Sequence, residues 1–238
     1  MWASVGAVAG LAIGALLRAT VYRLSVPSGD PDRRSCARCT QPVPRLLAIR
    51  CRHCGASLGR PAVLELATAA VLALLLGRFA DQPVALAFAF LGSIGVALAA
   101  IDIAVKRLPD RLTLPAIGVL IALLAVAAVV GHEPMALIRA LLGGLALAAG
   151  LLLLAFIRPG QLGGGDIKLA ALVGVGLGWL GWPALIAGGA LGFVLAGLGG
   201  LVLLAVRKVT LRSHIAFGPF LLGGTLIGIL AVGTIPGA

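Results

Sequence analysis

Residues 84–130 read VALAFAFLGSIGVALAAIDIAVKRLPDRLTLPAIGVLIALLAVAAVV, two apolar runs joined by a short basic hinge at Lys106 and Arg107. Each run has about the length a helix needs to cross hydrocarbon. The apolar residues follow one another without alternating, so the runs read as helices and not as the strands of a membrane barrel.

The same pattern fills the chain. Of 238 residues 61% are hydrophobic and only 11% charged, with a mean hydropathy of +1.13. No soluble core needs that much apolar sequence, so an integral membrane protein is expected. Eight apolar segments are expected, at about 2–17, 62–77, 84–101, 114–130, 136–157, 167–182, 184–206 and 215–235. Some are near the short end for a crossing, and the sixth and seventh are parted only by a turn around Gly181, Trp182 and Pro183. The 34 glycines suit close helix packing, where small residues let backbones approach. The expected fold is therefore all-α, a polytopic membrane helix bundle of about eight transmembrane helices. It divides into a first helix at 1–17, a small cytoplasmic zinc-binding loop at 18–60 and a seven-helix domain at 61–238.

Charge sets the orientation. The net charge of +11 suggests nucleic acid in a soluble protein, but these basic residues lack the aromatic interleaving that stacks bases, and no nucleic-acid partner is expected. Residues 18–60 hold nine of the 19 lysines and arginines. Lys106, Arg107, Arg111, Arg158, Lys168, Arg207, Lys208 and Arg212 fall on alternate later loops, leaving Arg78 and Arg139 for the other side. The positive-inside rule then puts the basic loops in the cytoplasm and both termini outside. The first run lacks a basic leader, so it reads as a retained helix and not as a signal peptide.

All four cysteines lie in the long polar loop, as Cys36-Ala-Arg-Cys39 and Cys51-Arg-His-Cys54. Two such pairs separated by 11 residues bring four thiolates within reach of one tetrahedral zinc. Two disulfides are the alternative, and the reducing cytoplasm disfavours them. Four thiolates close the coordination sphere, so the metal is expected to be structural, with none at a catalytic site. His53 reads as a bystander, and without metal the loop is expected to lack a core.

The chain has only eight acidic residues. Asp30, Asp32, Asp81 and Glu133 read as solvated loop charges. Glu65 reads as a first-turn glutamate favoured by the helix dipole, with Arg60 nearby, or else as a residue that supports the site. Asp102 ends an unbroken apolar run, and a carboxylate so near hydrocarbon is expected to face the bundle interior as a functional group. Asp110 reads as a turn residue between Pro109 and the next helix, with a site-supporting role as the alternative. Asp166 follows Gly163, Gly164 and Gly165; as an N-cap it would start a helix, with the glycines permitting any turn. A phosphate cradle is disfavoured, since no strand precedes it and the lysine-serine pair is absent. Asp102 and Asp166 reach the same side of the bundle. Two close carboxylates share one proton, the equipment of an aspartic protease.

In order along the chain, the paired cysteines, ProAlaValLeuGlu (61–65), Asp102 with LeuProAspArgLeuThrLeuPro (108–115), GlyGlyGlyAsp-Ile-Lys-Leu (163–169) and PheGlyProPheLeu (217–221) resemble the bacterial type IV prepilin peptidases. That resemblance implies an inner-membrane GxGD-type aspartic protease whose active site faces the cytoplasm. It would cut the basic leader from prepilins or pseudopilins, substrates with a single hydrophobic helix. It assigns the catalytic roles to Asp102 and Asp166. In many members it also implies S-adenosylmethionine-dependent methylation of the new amino terminus. That activity stays open here, because GlyAlaLeuLeuArgAlaThrValTyrArg (14–23) lacks the asparagine of the family's usual stretch and the cysteine pairs lie closer than its common form. Gly163 and Gly165 are expected to let a substrate backbone approach Asp166. Lys168 either snorkels or orients an acidic group on the substrate, and Phe217, Gly218 and Pro219 open the last helix, where they either wall the site or simply start the helix. Two other readings stand beside this one: a proton-coupled transporter using Asp102 and Asp166, and a non-catalytic zinc-ribbon membrane scaffold.

Overall fold

The computed structural model describes residues 1–27, 29–43, 50–59, 62–157, 163–206 and 216–232. Arg60, Pro61, Arg158, Gln161, Leu162, Arg207, Lys208 and Arg212 lie outside the described residues, as does the end of the last apolar segment. Among the described residues eight helices follow one another: α1 (Trp2–Leu24), α2 (Val63–Phe79), α3 (Ala85–Val105), α4 (Asp110–Gly131), α5 (Pro134–Ile157), α6 (Gly164–Leu180), α7 (Trp182–Ala205) and α8 (Gly218–Val232). No strand occurs among the described residues, only the isolated antiparallel bridges Ser35 to Pro42 and Arg50 to Ser57. In hydrocarbon a backbone must satisfy its own polar groups, and a helix does so within one segment.

Among the described residues five helices, α1, α3, α4, α5 and α7, are long and apolar enough to cross a membrane. At 17 residues, α2 and α6 rise only about 26 Å, short of a bilayer core of about 30 Å. The chain forms two compact units, Met1–Arg107 and Leu108–Ala238.

In the first unit α1 lies antiparallel on α2 along a stripe of glycines. A Cβ at Gly6 would come within 2.5 Å of Leu72 O, one at Gly10 within 2.4 Å of Ala69 Cα, and one at Gly14 within 2.6 Å of Glu65 Cα. Small residues four apart let two backbones meet, which supplies dispersion contacts where lipid gives no hydrophobic drive. Trp2 Nε1 donates to Asp81 Oδ1 at 3.0 Å, so Asp81 is paired and is not a merely solvated loop charge. Phe79 and Phe88 pack their rings 4.8 Å apart where α2 gives way to α3.

In the second unit the same device recurs. A Cβ at Gly174 would meet Gly143 O at 2.6 Å, and one at Gly224 would meet Gly192 N at 2.3 Å, joining α5 to α6 and α7 to α8. Gly181 alone separates α6 from α7; its φ of +130° is costly for any residue with a Cβ, and Pro183 then sits in the first turn of α7. Arg139 lies within α5, inside the expected fifth segment, and donates to the carbonyls of Gly178 and Trp179 at the end of α6.

Candidate functional site

The two cysteine pairs build the same small hairpin twice, 15 residues apart. Cys36 N–H donates to Gln41 O at 2.8 Å, and Cys51 N–H donates to Ala56 O at 2.8 Å. Thr40 and Gly55, which follow the second cysteine of each pair, both take left-handed backbone, at φ 59° and 69°. The hairpins face each other so that all four Sγ atoms lie within 4.8 Å of one another. The Cys36–Cys54 and Cys39–Cys51 separations are 3.7 and 3.5 Å, so these are free thiols and not disulfides, which need about 2.05 Å. A tetrahedral metal with bonds of about 2.3 Å to sulfur spaces its ligands about 3.8 Å apart, so the sulfurs fit such an ion. His53 is exposed and outside the cluster.

Electrostatics give the same picture. Backbone N–H groups of Arg38 and Cys39 hold the Cys36 thiol below its usual range, and those of Cys54 and His53 bring Cys51 down to about 6. The N–H of Gln41 pulls Cys39 down too, but burial and the three neighbouring sulfurs outweigh it and push Cys39 up to about 12. One thiolate forms readily here and further ones resist; a dication removes that conflict. Cys36 and Cys51 form a small buried core with Ala19, Val43 and Leu58, against which Tyr22 packs. Tyr22 Oη also accepts from Ala37 N–H at 2.9 Å, so the loop is docked on α1.

Asp102 lies in the last turn of α3 and is 4% exposed, as expected of a carboxylate turned from lipid. Its carbonyl accepts from Lys106 N–H at 2.7 Å, and Lys106 closes α3 in left-handed backbone.

Asp166 is half-buried in the first turn of α6. It is not the N-cap. Gly163 takes that position in extended backbone, and Asp166 is the third helical residue, whose Oδ2 accepts from Gly163 N–H at 3.2 Å. This is the returning half of a capping box, and an anion there also suits the helix dipole. None of Gly163, Gly164 and Gly165 has positive φ, so the turn does not need their conformational freedom. Gly165 serves close approach instead: a Cβ there would meet Leu108 Cβ at 2.9 Å, whereas one at Gly164 meets nothing within 4 Å.

Asp110 is the first residue of α4 rather than a turn residue, so α4 begins four residues before its expected apolar run. Asp110 Oδ1 accepts from Lys168 Nζ at 2.6 Å, which gives Lys168 a partner within the chain. Phe217 precedes α8, with its ring 5.2 Å from that of Phe193, and Gly218 and Pro219 open the helix.

Glu65 lies in the first turn of α2, as expected, but its partner is Arg18 of α1. Arg18 was counted among the loop arginines. It continues the spacing of Gly6, Gly10 and Gly14 by one more turn, and that i, i+4 series was the signal for its place on the packed face.

The family model described as the type IV leader peptidase family matches residues 87–233, more than half of the chain. Curated proteins named prepilin leader peptidase/N-methyltransferase are similar over most of it. One from Burkholderia pseudomallei is 35% identical over 220 residues, covering 85% of this chain and 67% of the relative. One from Aeromonas salmonicida is 34% identical over 218 residues, covering 84% and 70%. One from Dickeya chrysanthemi is 32% identical over 269 residues, covering 93% and 89%. No solved structure matches the chain. The matched segment holds Asp102, Asp110 and Asp166, while Glu65 and the cysteines precede it. An all-helical chain with five helices fit to cross a membrane, matched in this way, belongs to the type IV leader peptidase family.

Proposed function

We propose that this protein cleaves the basic leader from prepilin or pseudopilin precursors in the bacterial inner membrane, with Asp102 and Asp166 as its two catalytic carboxylates. The match of residues 87–233 to the leader peptidase family carries the reading, because that segment contains both Asp102 and Asp166, two of only eight acidic residues in the chain. Burial of Asp102 and the place of Asp166 in the first turn of α6 support the assignment.

The chemistry needs one carboxylate ionised and one protonated. The ionised member takes a proton from water as the oxygen attacks the scissile carbonyl, and the protonated member hydrogen-bonds the carbonyl oxygen. A proton then passes to the amide nitrogen, the C–N bond breaks, and the amine leaves. The Asp110–Lys168 pair lies beside Asp166 in the chain and supports its position; both groups are well exposed, so the pair contributes no more than about 1 kcal/mol.

Zinc is the metal these four thiolates suit, and it would hold the two hairpins together with no open coordination position. The concentration of arginine in the cysteine loop supports a cytoplasmic loop and active site, with both termini outside. Methylation of the new amino terminus takes its support from the relatives' names, with S-adenosylmethionine as the methyl donor.

The test is cleavage of a prepilin precursor by the purified protein. Asp102→Asn and Asp166→Asn are each expected to lower the rate by about 10²–10⁴. Asp110→Asn is expected to stay within about fivefold of wild type, the kinetic equivalent of about 1 kcal/mol. Cleavage that survives both of the first two substitutions overturns the assignment.

A further inference from the structure

The last turn of α3 carries Asp102, and that turn is packed on one side only. Ile101 and Asp102 are buried, whereas Ile103 is 65% exposed and Ala104 and Lys106 are exposed with it. Terminal turns leave carbonyls without partners in the helix and open most readily, so a reacting group placed there gains from a tie beyond the helix. Lys106, which closes α3, takes left-handed backbone at φ 53°, a conformation disfavoured for a residue with a Cβ. Arg107 follows it, and its side chain reaches the first residues of the cysteine loop.

Arg107 Nη1 donates to Pro27 O at 2.9 Å and lies 3.5 Å from Val26 O, 80 and 81 residues away in the chain. The receiving segment is itself fixed. Ser25 N–H and Ser25 Oγ both donate to Val21 O near the end of α1, at 2.9 and 2.7 Å, and Val26 is buried. Pro27 O also accepts from Asp30 N–H at 3.2 Å. Arg33 N–H then returns to Arg23 O at 2.9 Å, with its guanidinium 4.8 Å from the centre of the Tyr22 ring. All of these residues belong to the first compact unit, as Asp102 does. Hydrogen bonds from a guanidinium are charge-assisted, so Arg107 makes a firm tie between the end of α3 and a segment held to α1.

We infer that Arg107 is a positioning residue for the peptidase: by tying the end of α3 to the start of the cysteine loop, it holds the Asp102 carboxylate where the reaction uses it. The inference rests on the proposed catalytic role of Asp102. The left-handed turn at Lys106 belongs to the same device, because it lies between the carboxylate and its tie. A carboxylate that drifts slows the chemical step and leaves substrate binding unchanged, since small misplacements of a reacting group cost rate rather than affinity.

Steady-state cleavage of a prepilin precursor by the full chain in detergent tests it. Arg107→Gln is expected to lower kcat about tenfold, with KM within about twofold of wild type. Arg107→Lys, whose ammonium can still donate to Pro27 O, is expected to regain most of the lost rate. Lys106→Gln removes the same charge from the neighbouring exposed side chain and is expected to cleave like wild type. Added to Asp102→Asn, Arg107→Gln is expected to lower the residual rate no further, because a residue acting through Asp102 then has nothing left to position. A general loss of folding would lower that residual rate too, so the double variant separates positioning from stability. Equal kcat in wild type and Arg107→Gln, a loss confined to KM, an equal loss in Lys106→Gln, no recovery in Arg107→Lys, or a further loss in the double variant overturns the inference. Asp102→Asn alone separates the two readings. Full cleavage by that variant removes the proposed catalytic role, whereas its failure to cleave beside unchanged cleavage by Arg107→Gln removes only the positioning role.

Discussion

Gly165 and Gly164 are neighbours with opposite steric surroundings. A methyl group at Gly165 would sit 2.9 Å from Leu108 Cβ, closer than packed carbons allow, while one at Gly164 would face open space. Gly165→Ala is therefore expected to destabilise the protein by about 1–3 kcal/mol. Gly164→Ala is expected to leave stability unchanged, and thermal unfolding of the two variants in detergent compares them. Room for a substrate backbone beside Asp166 is thus better tested at Gly164, where Gly164→Leu can cost cleavage without costing the fold. The sequence put Asp166 at the start of a helix, as its N-cap, because aspartate is favoured there. It did not show the offset. Three glycines carry no cap side chain, so nothing marks Gly163 as the boundary until the hydrogen bond from its N–H to Asp166 is seen.

At the scale of elements, α1 and α2 depend on the absence of side chains at three positions. Gly10→Leu would drive a branched side chain into the backbone of Ala69 and part the two helices, and with them Arg18 from Glu65. It is expected to abolish a cooperative thermal transition or lower its midpoint sharply, whereas Gly118→Leu, where a Cβ meets nothing within 4 Å, is expected to have little effect. The cysteine hairpins depend on something else. Val43 and Leu58 are too little core to order this loop alone, so it needs the sulfur cluster and its metal. Metal analysis is expected to find about one zinc per chain, lost in Cys51→Ser, and a metal-free chain whose loop resists proteolysis would contradict this. Metal uptake must also expel the proton of Cys39, whose thiol lies near 12 without an ion, so affinity is expected to fall as pH falls. The helices were legible as long apolar runs, but two ends were not. α1 continues to Leu24, past Arg18, because its last turns are dock for the cysteine loop through Ala19 and Tyr22. α4 starts at Asp110 because Pro109 serves as its N-cap and Thr113 Oγ1 donates back to Pro109 O at 3.1 Å.

At the scale of the whole molecule, the unequal distribution of charge makes the orientation testable. Seventeen of the 19 lysines and arginines fall in or beside the segments assigned to the cytoplasm, and only Arg78 and Arg139 fall elsewhere. Arg139 is further tied to the end of α6 through two carbonyls, so it is held by local structure and adds little free charge to its side. A membrane that retains positive segments on its cytoplasmic face then leaves one favourable arrangement for α1 to α5. Alkaline phosphatase, which is active only outside, is expected to be active when fused after Asp81 or Glu133 and inactive when fused after Arg52 or Arg111. The two short helices sharpen this test. If α2 failed to cross, fusions at Arg52 and Asp81 would report the same side, and every later segment would be inverted relative to its charge. Activity after Arg52 would place the cysteine loop in an oxidising compartment, where paired thiols form disulfides, and would remove the argument for zinc along with the orientation.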